Sequence, residues 1–134
     1  CDTISYSSEV FSSTVTPSSI GSISREDGNG ESWVQFLIEG PINVPRVVVN
    51  GLWEFTVNVN LPAGKVIEVN SSPWQRRAID SDSNNLSAKL IGDSAYLTDM
   101  KLPSGGTYSF SLGGSGTNST TKCIATWRDA YLAY

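Results

Sequence analysis

The chain has 134 residues, 39% of them apolar and only 16% charged, with a net charge of −4 and a sequence pI of about 4.6. No basic field is available to attract phosphate backbones, so nucleic-acid binding is disfavoured and no nucleic-acid partner is expected. There is no histidine, so Ser-His-Asp and Cys-His catalysis, histidine general bases and histidine-containing zinc sites are excluded too.

The length fits one domain, residues 1–134, able to bury a core without disulfide or metal staples. No run of 18 apolar residues is present, so no transmembrane helix and no membrane insertion are expected, and no signal peptide is visible at the N-terminus. The chain opens on Cys1 rather than Met, and a fragment of a longer chain is expected; a mature lipoprotein acylated at Cys1 is the sharper alternative. Cys1 and Cys123 could pair, but Cys123 lies in a strand pattern where a buried free thiol is the plainer expectation.

Residues 1–32 form a Ser/Thr-rich lead-in with one or two strands. Ser5 to Val15 can hold a strand, Thr16-Pro17-Ser18-Ser19 is a turn, and Arg25 to Glu31 is a charged loop. Trp33 starts a strand whose apolar face is Val34, Phe36 and Ile38. Gly40-Pro41 ends it, and Pro45 demotes the next segment to an edge or a strand start. The organising stretch is Asn50 to Arg77. Asn50-Gly51 suits a two-residue hairpin turn. Trp53, Phe55, Val57 and Val59 then alternate with polar residues, the period of a half-buried strand. Leu61 to Gly64 breaks the pattern, Lys65 to Val69 starts another strand, Pro73 and Trp74 turn, and Gln75 to Ile79 reads as a further short strand.

Asp80 to Asn85 is a polar turn, and Leu86 to Ile91 and Tyr96 to Leu102 are short apolar segments. Pro103 to Gly106 leads into a strand with Tyr108, Phe110 and Leu112 on one face; Gly113 to Thr117 is a flexible loop. Thr121 to Arg128 is the last long strand, anchored by Ile124 and Trp127. About nine short strands with regular turns predict an all-β fold, an antiparallel β-sandwich or jelly roll. Its predicted core is Phe36, Ile38, Trp53, Phe55, Val57, Val59, Phe110, Ile124 and Trp127.

Candidate chemistry is sparse. No Gly-rich loop follows a strand and opens a helix, so no nucleotide or other cofactor is expected. Thirteen acids leave a two-carboxylate glycosidase formally open, but surface solvation accounts for most of them and no enzyme is expected. Asp80-x-Asp82-x-Asn84 imitates the start of a calcium loop, yet Asn85 stands where the turn needs Gly and Ile91 where it needs an acid, so no metal is expected. Trp74 is set apart from Trp33, Trp53 and Trp127: it follows Pro73 and precedes Gln75, Arg76 and Arg77. A loop Trp beside two Arg side chains suits a protein partner, since both types concentrate at interface centres. It also suits a sugar, by stacking plus hydrogen bonds, or simple packing over the sheet edge. Candidate contact residues are therefore Trp74, Arg76, Arg77, Asp80 and Asp82. Asn70, Asn85 and Asn118 each begin a glycosylation sequon, a number near chance in so Asn- and Ser-rich a chain.

The run from Gly64 to Arg77, GKVIEVNSSPWQRR, resembles a segment of phage distal tail and related minor tail proteins. Leu102 to Phe110 is similar to that family's proline-glycine turn and strand, and Thr126 to Leu132 to its closing strand in phages of actinobacteria. Val15 to Ser19 and Trp33 to Pro41 resemble its lead-in. Two features depart: the hub-forming domain is missing, and the turn reads Pro103-Ser-Gly-Gly-Thr107. The resemblance implies a galectin-like or carbohydrate-binding-module-like sandwich at the tail tip of a virion, contacting other virion proteins and, in some members, host-surface glycans; a structural or decoration role would also be compatible with a homo-oligomer. A capsid decoration and a stand-alone carbohydrate-binding module are the alternatives. It supplies no catalytic residues. If Trp74 serves a contact, Trp74→Ala leaves the thermal midpoint nearly unchanged and weakens binding; a loss of about 3–5 kcal/mol in stability marks it as core instead.

Overall fold

The computed structural model describes residues 4–6, 11–25, 32–71, 77–82, 84–86, 89–91, 100–103, 106–127 and 130–132. These form strands β1 (Ile4–Tyr6), β2 (Phe11–Val15), β3 (Ile20–Arg25), β4 (Ser32–Glu39), β5 (Ile42–Val49), β6 (Trp53–Val57) and β7 (Asn60–Leu61). They continue as β8 (Val66–Asn70), β9 (Arg77–Asp80), β10 (Leu90–Ile91), β11 (Lys101–Leu102), β12 (Gly106–Ser115), β13 (Lys122–Trp127) and β14 (Ala130–Leu132). One sheet has the order β10-β6-β5-β12-β3 with β7 also on β5, and the other β2-β13-β4-β8-β9 with β11 also on β4; β1 and β14 pair separately. Every ladder is antiparallel. The fold is an all-β sandwich.

Period-two alternation is what drives it. Along β4, Ser32, Val34, Phe36 and Ile38 are buried while Trp33, Gln35, Leu37 and Glu39 are only partly so. The opposite sheet offers Val47 and Val49, Phe55 and Val57, Phe110 and Leu112, all buried. Phe36 stands where the two faces meet, its ring centroid 5.9 Å from Trp53, 5.4 Å from Phe55 and 6.1 Å from Phe110. Those are tilted and edge-on geometries, which aromatic quadrupoles favour. Gly21 makes room for this cluster: a Cβ there would lie 2.7 Å from the Phe110 ring and 2.4 Å from a Val15 methyl.

Polar tethers join the sheets around that core. Trp53 Nε1 donates to the Lys101 carbonyl at 3.0 Å, and Trp127 Nε1 to the Ser24 carbonyl at 3.1 Å. Arg25 is fully buried and donates across to the Leu102 carbonyl at 2.5 Å. Ser71 closes the gap on β4 where β8 gives way to β11. Its Oγ accepts from Val34 N at 3.0 Å and lies 2.8 Å from the Met100 carbonyl.

Five expectations need correction. Arg25 is not part of a charged loop: it closes β3 opposite Gly106 and is buried. Ile124 is not a core anchor: Cys123, Ala125 and Trp127 point inward, so Ile124, of the other parity, lies partly exposed on the outer face. Pro45 is not at an edge or a strand start; β5 runs through it, between β6 and β12. Its missing N–H is tolerated because the ladder breaks there on both sides. β7 pairs up to Asn43, β6 resumes at Arg46, and β12 bulges between Gly113 and Ser115. Val44 takes φ +50° at that break, costly for a β-branched residue. The Asn50-Gly51 turn is a three-residue loop, because Val49 pairs with Trp53. Leu52 N bonds to Val49 O, and Gly51 alone takes positive φ, +81°, the type II pattern. Finally, Gly113 to Ser115 belong to β12 rather than to a loop.

Because Phe36 touches three aromatic rings of the other sheet, Phe36→Ala is expected to cost about 3–5 kcal/mol in urea unfolding. A loss below about 1 kcal/mol contradicts that packing.

Candidate functional site

The contact residues proposed from the sequence are not one cluster. Trp74 and Arg76 lie outside the described residues. Arg77 opens β9, opposite Asn70, whereas Asp80 closes it, opposite Ile67. The strand therefore separates them, one at each end of the sheet. Arg77 is exposed, and its Nε donates to Glu68 Oε2 at 2.5 Å; Gln35 Nε2 donates to the other oxygen, Glu68 Oε1, at 2.9 Å. Glu68 thus holds a short amide–carboxylate–guanidinium row across the outer face of β4, β8 and β9. The carboxylate beside Arg77 raises that guanidinium's pKa above its ordinary value.

At the other end, Asp80 caps its own turn. Its Oδ1 accepts from Asp82 N and Asn84 N, both at 2.9 Å, and its Oδ2 from Asn84 Nδ2 at 3.0 Å. Side-chain and backbone donation from Asn84 holds the Asp80 carboxyl below its ordinary value, with lesser help from Asp82 N and Lys65. Asp82 pairs instead with Lys65 Nζ at 3.1 Å. The Pro62–Lys65 turn has Gly64 at φ +79° and Lys65 N bonded to Pro62 O, which aims Lys65 at the β9 tip. Between turn and tip lies a cleft of about 100 Å³, floored by Leu61, Ile67 and Leu86 and rimmed by Lys65, Asp80 and Asp82. The same end is braced by Gly40 N donating to Lys65 O at 3.0 Å and Thr121 Oγ1 donating to Pro41 O at 2.7 Å.

All five acids among the described residues are engaged: Glu39 with Lys122, Glu54 with Arg46, Glu68 with Arg77, Asp82 with Lys65, and Asp80 within its turn. The calcium-like pattern does not converge, since the Asp80 oxygens face turn donors and Asp82 faces an amine. Among the described residues no group of three or more Cys, Asp or Glu side chains could hold a metal ion. Cys123 is a free thiol, and burial pushes its pKa up to about 12, so it stays protonated and inert. Asn70 is only 4% exposed, so its sequon is closed to modification in the folded chain.

Sequence reasoning missed Lys65 as the counter-ion of Asp82, Glu68 as the hub of the outer row, and Arg25 as a buried tether. Arg25 carried a signal: it stands two residues from Ile23, on the same strand face. Comparison with protein-family models, with curated proteins and with solved structures finds no match.

The Asp80 cap gives a pH prediction. A carboxyl whose folded pKa lies below its unfolded one adds stability above the unfolded value, which is lost as pH falls through the folded pKa. Asp80→Ala should therefore lower the thermal midpoint at neutral pH. The gap to the parent should start to narrow below the ordinary carboxyl value, 3.8, and close at more acidic pH. An equal gap across the whole range would contradict the cap.

Proposed function

We propose that the chain is a non-catalytic structural module of a phage virion, of the tail-tip or minor tail kind that its sequence resembles. Its work is to hold neighbouring virion proteins. The observation that carries the non-catalytic half is the state of the carboxylates. General acid–base chemistry needs an acid held protonated near neutrality beside a second, ionised one. The described acids instead sit in ion pairs or in a turn, and Asp80 is shifted toward stronger acidity.

The structural half rests on the sequence resemblance and on the build of the sandwich. A stiff double sheet with hydrogen-bonded loops at one end is a scaffold for surface contacts rather than a closed reaction chamber. The cleft beside Lys65 and Asp82, about 100 Å³, is far smaller than the few hundred Å³ usual for a small-molecule site. It suits one side chain of a protein neighbour, which keeps Asp80 and Asp82 as contact residues beside Lys65.

Immunogold electron microscopy of particles of the encoding phage tests this reading, with antibody raised against the chain. Label at the tail tip is the expected result. Label on the capsid, or none on intact and detergent-opened particles, would overturn the tail-tip assignment.

A further inference from the structure

The cleft beside Lys65 lies on the seam between the two sheets. Its floor comes from both: Leu61 on β7 of the first sheet, Ile67 on β8 of the second, and Leu86 just past the β9 tip. All three are buried, but the rim is wet, with the Lys65 and Asp82 side chains 44% and 60% exposed. The turns that carry the rim are fixed by their own hydrogen bonds. Lys65 O accepts from Gly40 N and Lys65 N donates to Pro62 O, while Asp80 Oδ1 holds the N–H groups of Asp82 and Asn84. A slot of about 100 Å³ with walls held in this way receives a side chain at little cost in ordering.

The rim carries more negative charge than positive: two carboxylates, Asp80 and Asp82, share it with one ammonium, Lys65. Donors in its own turn keep Asp80 ionised at neutral pH, and Lys65 is the smallest of the influences on it. Asp82 gives Oδ1 to Lys65 Nζ at 3.1 Å, and among the described residues no donor meets its Oδ2. An anionic side chain entering the slot would be repelled. A purely apolar one would cover both carboxylates and leave them unpaired, which is costly. A long apolar stem ending in a cation satisfies floor and rim together, the build of lysine and arginine. The guanidinium is the better match, because it is weakly hydrated and its planar fork can bond two carboxylates at once. The chain's net charge of −4 also draws basic surfaces toward it.

We propose that this slot receives one arginine side chain of a protein neighbour, its stem on Leu61, Ile67 and Leu86 and its guanidinium between Asp80 and Asp82. The proposal rests on the reading of the chain as a module that holds neighbouring proteins, and it specifies the surface of that neighbour: basic, with a projecting arginine. Lys65 is then the competitor. In the free chain its ammonium occupies Asp82, and exposed pairs of this kind are weak enough to be exchanged. A guest with a cation replaces that contact; a guest without one does not, so Lys65 screens the slot against neutral side chains.

Methyl-resolved NMR of the whole chain tests it by titration with N-acetylarginine amide, against its neutral isostere N-acetylcitrulline amide and N-acetylleucine amide. The arginine amide should shift the Leu61, Ile67 and Leu86 methyls along one saturable curve in the millimolar range and leave those of Val49 and Leu112 in place. The two neutral amides should shift them far more weakly. Asp82→Asn should weaken the arginine response several-fold, whereas Lys65→Met, which removes the competitor, should tighten it by about two- to fivefold, the worth of one exposed ion pair. Both side chains are exposed, so the variants should keep the parent's circular dichroism. Three results would each overturn the assignment: equal shifts from a neutral amide, no saturable shift from the arginine amide, or a Lys65→Met chain that binds it no more tightly. Such a failure beside gold label at the tail tip would sink the arginine slot alone. Saturable binding with the label elsewhere would sink the tail-tip position alone.

Discussion

The contact of Phe36 with Trp53, Phe55 and Phe110 is the one on which the rest of the structure depends. Each sheet alone would expose an apolar face, and a sheet without a covering layer is not stable in water. Phe36 projects from the strand that carries most of its sheet: β4 pairs with β13, β8 and β11. It meets β6 and β12, which flank β5. Losing that side chain would open a cavity where β4 of one sheet meets β6 and β12 of the other. The donors Trp53, Trp127 and Arg25 reach across the interface to carbonyls of the other sheet. Van der Waals packing sets how closely the sheets approach, and these directional bonds fix how they are offset.

With the interior given over to packing, any function falls to the surface. The polar residues there are organised rather than scattered. Glu68 gathers Gln35 and Arg77 on the outer face, and Asp80 fixes the tip from which Asp82 meets Lys65. Exposed pairs of this kind add little stability, about 0–1 kcal/mol each. Their consequence is to hold side chains in place at small entropic cost to any partner that binds them. The outer face of β3 is the opposite sort of surface, with Ile20, Ser22 and Ser24 exposed and no charged side chain in residues 11–24.

The alternation that defines the strands was legible in the sequence, because period two is local. Val34, Phe36 and Ile38, and likewise Tyr108, Phe110 and Leu112, lie where that period places them. Ile124 and Trp127 could never share a strand face, being three residues apart, and parity alone decides for Trp127. Pro45 misled because its tolerance depends on a bulge in β12, a strand about 70 residues further along. The candidate site was legible only in pieces. Asp80 and its turn could be read from neighbouring residues, but Lys65 lies 17 residues from Asp82 and Leu102 lies 77 from Arg25. Such pairings exist only once the sheets are assembled. Arg77 and Asp80 looked adjacent in sequence, yet strand geometry carries them apart by about 10 Å, at roughly 3.3 Å per residue.

Native-state hydrogen exchange measured residue by residue tests most directly whether the Phe36 contact makes the two sheets one cooperative unit. If it does, the slowest amides of β4 and β13 and those of β5 and β12 exchange with the same free energy, and that energy equals the global unfolding value. One sheet opening at a distinctly lower free energy, while the other stays protected, would contradict that account.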